Sequence, residues 1–244
     1  MTVSRSESMR GGGRATGGPI DAVLFDFSGT LFRLEADESW AADLVTADGR
    51  PFGAAESAEV LHRMTAPVHQ AVQFDAHHQH AWEHRDLDPS LHREVYAEVL
   101  RQTGVVGDPA QRLYRRMVDP LAWTPYPDTG KVLETLAGNG IRVAVVSNIP
   151  FDIRPAFVAY GWDRYIDVYA LSFELGAVKP DPPIFQWTLD RLNATASQAL
   201  MVGDSPENDG AATALGCKFA LVDPAPTAER RTGLLDALAA YGLP

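Results

Sequence analysis

The stretch Ala22-Val23-Leu24-Phe25-Asp26-Phe27-Ser28-Gly29-Thr30-Leu31 decides the fold: an apolar run, AVLFDF at 22–27, is broken by one carboxylate and followed at once by turn residues. A short run that is apolar throughout, rather than alternating, suits a strand buried on both faces of a parallel sheet. Three further runs of this kind follow, VAVVS at 143–147, ALMV at 199–202 and FALV at 219–222. Helical patterns lie between them. Val132, Leu133 and Leu136 mark one apolar face that stops at Gly138 and Gly140. Ile184, Thr188, Leu189 and Leu192 mark another, with Asp181 as N-cap and Pro182 in the first turn. Strand and helix alternate from about residue 120 to the end. That alternation predicts an α/β fold with a doubly wound, mainly parallel sheet and right-handed crossovers.

Residues 34–119 break the rhythm, with helix signals and no buried-strand run. Asp88-Pro89 opens a segment with Leu91, Val95 and Val99 on one face, closed by Gly104. Asp108-Pro109 opens the next, containing Leu113 and Met117. The expected organisation is a core of residues 20–33 and 120–244, interrupted by an all-helical insert at 34–119. Residues 1–19, rich in Gly, Ser and Arg, have no apolar centre of the kind a secretory signal needs, and read as a disordered tail.

With 244 residues, 45% of them hydrophobic, the chain can bury a sizeable core. No apolar run approaches the roughly 18 residues of a membrane span. A net charge of −11 argues against general nucleic-acid binding, which needs a basic surface. The single cysteine, Cys217, can form no internal disulfide, favours a reducing cytoplasm and reads as a packed small hydrophobe. Oligomeric state is not encoded in any pattern found.

Polar clusters stand at the ends of the expected strands: Asp26 to Leu31, Ser147-Asn148, Lys179-Pro180 before a helix, and Gly203-Asp204-Ser205-Pro206-Glu207-Asn208-Asp209. Loops at the carboxyl ends of strands are where open α/β sheets bind ligands. Carboxylates with an open position beside them suit Mg²⁺, which takes one or two carboxylates plus waters and phosphate oxygens. Hydroxyl and ammonium donors suit the oxygens of a phosphoryl group, and a carboxylate can itself act as nucleophile.

D-x-x-G-T-L, S-N after an apolar strand, K-P, and G-D-S-x-x-N-D, in that order, resemble the four motifs of the haloacid dehalogenase (HAD) superfamily. The flanking TPYPDTGKVLETL (124–136) and ELGAVKPDPPIF (174–185) resemble the subgroup that carries a helical cap between its first two motifs. The resemblance implies a Mg²⁺-dependent phosphohydrolase acting on a small phosphorylated metabolite through an aspartyl-phosphate. It implies Asp26 as nucleophile and metal ligand, and the Ser28 carbonyl as a further ligand. Ser147, Asn148 and Thr30 would serve the phosphoryl group and its loop. Lys179 would neutralise charge on nucleophile and phosphoryl oxygens. Asp204 would be a metal ligand, and Asp209 a second ligand or an anchor behind it.

One position departs from that pattern. Phosphatases of the family usually carry a second Asp, acting as general acid and base, where this chain has Ser28. Its loss costs on the order of 10²–10⁴ in rate for leaving groups that need a proton. The phosphonate-cleaving branch would need a lysine in the cap, yet Lys131, Lys179 and Lys218 all lie outside the insert. A 2-haloacid dehalogenase is an alternative, although Asp204 and Asp209 favour a metal site. A catalytically weakened binding protein for a phosphorylated ligand is another. His77, His80 and His84 share a helix face in the insert and are candidates for the missing acid, against the simpler reading of a solvated polar face.

Overall fold

The computed structural model describes residues 18–46, 49–65 and 72–244. Residues 1–17 of the expected tail lie outside them. Four strands form where the apolar runs place them: β1 (Ala22–Phe25), β4 (Arg142–Ser147), β6 (Ala199–Gly203) and β7 (Lys218–Leu221). A fifth, β5 (Val168–Leu171), completes a parallel sheet of order β5-β4-β1-β6-β7 among the described residues. β5 was not expected from the sequence; at the sheet edge its Val168 and Tyr169 are only half-buried.

Strand residues alternate between two apolar clusters. Val23, Phe25, Val143 and Val145 pack with Val132, Leu133 and Leu136 of α5 (Thr129–Gly138), Phe157 of α6 (Arg154–Ala159) and Leu234 and Leu238 of α9 (Gly233–Ala239). Leu24, Ala144 and Val146 on the other face pack with Ile184, Phe185 and Leu189 of α8 (Pro182–Leu192), and Cys217 is buried there as a small hydrophobe. Helices therefore cover both faces of a parallel sheet, the expected α/β architecture. α8 begins after Asp181 with Pro182 in its first turn, although the Asp181 side chain makes no capping bond. β1 lies centrally, with β4 on one side and β6 on the other, so the crevice where the strand order reverses opens beside Asp26.

Between β2 (Phe32–Arg33) and β3 (Thr124–Pro125), which pair antiparallel, the described chain forms four α-helices: α1 (Ala54–Thr65), α2 (Ala76–His84), α3 (Pro89–Gln102) and α4 (Gly107–Met117). Asp88 caps α3, accepting from the Ser90 amide at 2.7 Å. α4 starts at Gly107, so Asp108 lies in its first turn, where a negative charge favours the helix dipole, rather than at the N-cap. Trp40, Leu44, Val60, Leu100, Leu113 and Met117 give this segment an apolar cluster of its own. No described helix is long and apolar enough to cross a membrane.

His92 is buried in α3, with Nδ1 3.0 Å from the Tyr114 hydroxyl of α4. Burial, assisted by the nearby Arg85 cation, pushes its imidazole down to about 3. Folded, it is neutral; unfolded, it titrates near 6.5. Between those values only the unfolded chain takes up the proton, so stability falls as pH drops below about 6.5, by about 2 kcal/mol at pH 5. The loss of melting temperature between pH 7 and pH 5 is therefore expected to be smaller in His92→Gln, which keeps a partner for Tyr114. Equal losses in the two proteins would contradict it.

Candidate active site

Parallel register brings the ends of three strands together. Phe25 of β1 pairs with Val145 of β4 and Val202 of β6, so Asp26, Ser147 and Asp204 leave the sheet side by side. The Asp26 amide donates to the Val202 carbonyl at 3.0 Å, which fixes the start of the first loop. Asp26 is 6% exposed, Lys179 4% and Asp209 1%. Burial this complete obliges the charges to find one another. Lys179 Nζ donates to Asp26 Oδ1 at 2.6 Å and to Asp209 Oδ1 at 2.6 Å. Asp209 Oδ2 accepts from the Ser205 amide at 3.0 Å, so both its oxygens are engaged. Asp26, Asp204 and Asp209 each offer a carboxylate oxygen within 4.8 Å of the others.

Three carboxylates face one ammonium. Burial first, then the neighbouring Asp209 and Asp204 charges, push the Asp26 carboxyl up to about 7 against the pull of Lys179. Burial and Asp209 likewise push Asp204 up to about 6. Desolvation of Lys179 is outweighed by Asp26 and Asp209, which hold its ammonium protonated. The excess of oxygen donors over cationic charge, at spacings one small ion can bridge, suits a hard divalent cation such as Mg²⁺. Asp26 and Asp204 have the freer oxygens for it, since both of Asp209's already accept hydrogen bonds.

Two glycines make the convergence possible. Gly29 has φ +78, and a methyl group there would overlap Asp204 Oδ2; at Gly203 a methyl group would overlap Asp209 Oδ2. The first loop is held from a distance. Arg230, 6% exposed and lying 3.1 Å over the Tyr126 ring, donates from Nη1 to the Gly29 carbonyl at 2.7 Å and from Nη2 to the Thr30 carbonyl. Thr30 is buried, and its Oγ1 has no hydrogen-bond partner among the described residues. Ser28 is exposed, bridging to Phe32 through its backbone. Ser147 is 1% exposed at the end of β4.

The Asn148 side chain engages the backbone of Lys179. Its Nδ2 donates to the Lys179 carbonyl at 2.7 Å and its Oδ1 accepts from the Lys179 amide at 2.7 Å. It clamps the lysine's backbone to the end of β4. No local pattern foretold this clamp or Arg230, because each joins segments far apart in the chain. In the insert, His77 Nε2 pairs with Glu94 at 2.5 Å with its side chain 69% exposed, and the His80 and His84 rings lie 4.2 Å apart.

A family model for haloacid dehalogenase-like hydrolases matches residues 20–216. The chain belongs to this family. It is 30% identical over 205 residues to a phosphoglycolate phosphatase of Aliivibrio fischeri, an alignment covering 83% of this chain and 84% of that one. It is 38% identical over 100 residues to a ribulose-1,5-bisphosphate 5-phosphatase of Halopiger xanaduensis, spanning 40% of this chain and 42% of that relative. Among solved structures, L-2-haloacid dehalogenase from Xanthobacter autotrophicus superposes with a TM-score of 0.57 at 25% identity, covering 83% of this chain and 77% of that one.

Asn148→Ala removes both bonds that hold Lys179, a loss of about 2 kcal/mol at about 1 kcal/mol each. The expected outcome is a lower melting temperature together with a drop in turnover of any substrate. Unchanged melting and unchanged turnover would show that the clamp does not position the lysine.

Proposed function

We propose that this HAD-family hydrolase is a Mg²⁺-dependent phosphohydrolase of a small phosphorylated metabolite, with Asp26 as nucleophile. The observation that supports the reading most is the buried contact of Lys179 Nζ with Asp26 Oδ1 at 2.6 Å, beside two more carboxylates within 4.8 Å. Lysine holds one Asp26 oxygen in place, orients the carboxylate and leaves the other oxygen to attack phosphorus in line. As the ester bond breaks, negative charge spreads over phosphoryl oxygens, and the Lys179 ammonium with the Ser147 hydroxyl and loop amides supplies fixed donors for it. Water then attacks phosphorus of the aspartyl-phosphate, the Asp26–phosphorus bond breaks and orthophosphate leaves. Asp26, Asp204 and the Ser28 carbonyl would hold Mg²⁺, which would supply positive charge that lets an anionic nucleophile approach a phosphate dianion. Asp209 serves as the anchor of Lys179. Residues 34–119 act as a cap over the crevice, limiting water and selecting the substrate.

The relatives' names support phosphate chemistry, and the dehalogenase neighbour supplies the second reading, displacement of halide by Asp26. Ser28 in place of the usual Asp favours that alternative. Three clustered carboxylates oppose it, since without a cation they repel an anionic haloacid.

The discriminating experiment is a screen of phosphate esters, acyl phosphates and 2-haloacids with and without chelator. Phosphate release only with Mg²⁺, abolished by Asp26→Asn, is the expected result. Mg²⁺ should also raise the melting temperature, by the logic that a ligand of the folded state stabilises it. Halide release with chelator present would overturn the phosphohydrolase reading in favour of the dehalogenase. Absence of both activities, with stabilisation by Mg²⁺ and a phosphorylated ligand, would indicate a binding protein.

A further inference from the structure

Phosphoryl transfer from an alkyl phosphate ester to Asp26 leaves an alkoxide that must be protonated, and Ser28 cannot deliver a proton near neutral pH. A carboxyl group is carried on the helical segment where that segment is fastened to the loop after β4. Asp86 follows α2 on the short connection to α3. Its backbone carbonyl accepts from Ser172 Oγ, and the same fully buried oxygen accepts from the Ile149 amide at 2.9 Å. Ile149 is the residue after Ser147-Asn148, and Asn148 in turn grips Lys179. One serine therefore fastens Asp86 to the loop that flanks the nucleophile. The Asp86 side chain is 22% exposed, so it is reachable, and its ion pair with Arg85 is long, at 3.5 Å. Arg85 is itself held elsewhere: its Nη1 donates to the Trp82 carbonyl at 2.6 Å and its guanidinium lies 3.7 Å over the Trp82 ring.

We propose that Asp86 is the general acid and base of this enzyme, supplying from the helical segment the proton transfer that position 28 does not supply from the first loop. The inference rests on the phosphoryl-transfer reading above and adds a residue to it. In the first step Asp26 forms a bond to phosphorus, the phosphorus–oxygen bond to the alcohol breaks, and the departing oxygen takes the Asp86 carboxyl proton. In the second step Asp86 carboxylate takes a proton from the attacking water. The Asp26–phosphorus bond breaks, orthophosphate forms and Asp86 is again protonated. One water is consumed and no other reactant is needed.

The groups facing Asp86 fit this duty. Arg85 adjoins it, the Lys179 charge reaches it across the crevice, and Tyr96 of α3 feels the Asp86 charge. Burial pushes the Asp86 carboxyl above the ordinary aspartate range, against Arg85 and then Lys179, which pull it down. A carboxyl held above its ordinary range by burial, with cations beside it that favour its charged form, is suited to both giving and taking a proton. The other titratable groups of this region are less suited. His92 is neutral and engaged with Tyr114, and Tyr96 is pushed up to about 12 by burial.

The test compares kcat/KM, with Mg²⁺ added, for 4-nitrophenyl phosphate and for a primary alkyl phosphate, in the unaltered chain and in Asp86→Asn. Nitrophenolate leaves without a proton, so the aryl substrate controls for folding and for binding of the phosphoryl group. The expected loss is on the order of 10²–10⁴-fold for the alkyl ester and less than about tenfold for the aryl ester. The alkaline limb of the alkyl-ester pH profile is expected to vanish with it. Ser28→Asp introduced into the Asp86→Asn chain should recover part of the alkyl-ester rate. Equal losses on both substrates, or no alkyl-ester turnover by the unaltered chain that hydrolyses the aryl ester, would overturn the role of Asp86. Failure of the unaltered chain on every phosphate would overturn the phosphohydrolase reading itself.

Discussion

A single ammonium, Lys179 Nζ, lies 2.6 Å from carboxylate oxygens of both Asp26 and Asp209 in a region almost closed to water, and the rest of the crevice is arranged around it. Buried charges of one sign cannot gather without compensation. Asp26 ends β1, Asp209 lies beyond β6, and Lys179 reaches them from the loop before α8. The ion pairs thus tie the centre of the sheet to both flanking crossovers. Asp204 has no ion-pair partner among the described residues, and burial with the neighbouring carboxylates raises the carboxyl groups of Asp26 and Asp204 against the pull of Lys179. An added divalent cation relieves this imbalance, and that electrostatic deficit is the physical content of the proposed metal site.

Supporting contacts explain how the chain keeps such a cluster ordered. Gly29 and Gly203 admit Asp204 and Asp209 where a methyl group would collide with them. Arg230 holds the first loop by its carbonyls, while Tyr126 donates to the Ala225 carbonyl at 2.9 Å and the Glu35 carboxylate accepts from the Thr227 amide at 2.7 Å. The loop after β7 is thereby tied to the chain entering the helical segment. That segment has its own apolar cluster and meets the core partly through polar contacts such as Ser172 to Asp86. Polar seams of this kind separate at lower cost than apolar ones, which suits the cap role proposed for it.

Much of this was legible in the residues. β1, β4 and β6 are apolar at nearly every position because both faces are covered, and that pattern survives in a bare sequence, as does the apolar run of the edge strand β7. The Asp26, Asp204 and Lys179 clusters were visible because strand ends and helix starts carry recognisable turn and cap residues. β5, VYAL at 168–171, escaped notice although it is as apolar as the edge strand β7; its start at Val168 and Tyr169 is only half-buried. The Asn148 side chain spends both its groups on the Lys179 backbone, a role that no pattern in the residues announces. Arg230 and Asp86 act across 200 and 86 positions of chain, and no periodicity or cap signals such a contact.

Whether Asp26 becomes covalently phosphorylated is the most direct test of this account. Turnover of a substrate labelled in its phosphoryl group, stopped with acid within one catalytic cycle, should leave label on the protein. That label should be released by neutral hydroxylamine, map to the peptide containing Asp26 and be absent from Asp26→Asn. Release of labelled phosphate at full rate with no label ever retained on the chain would contradict the account.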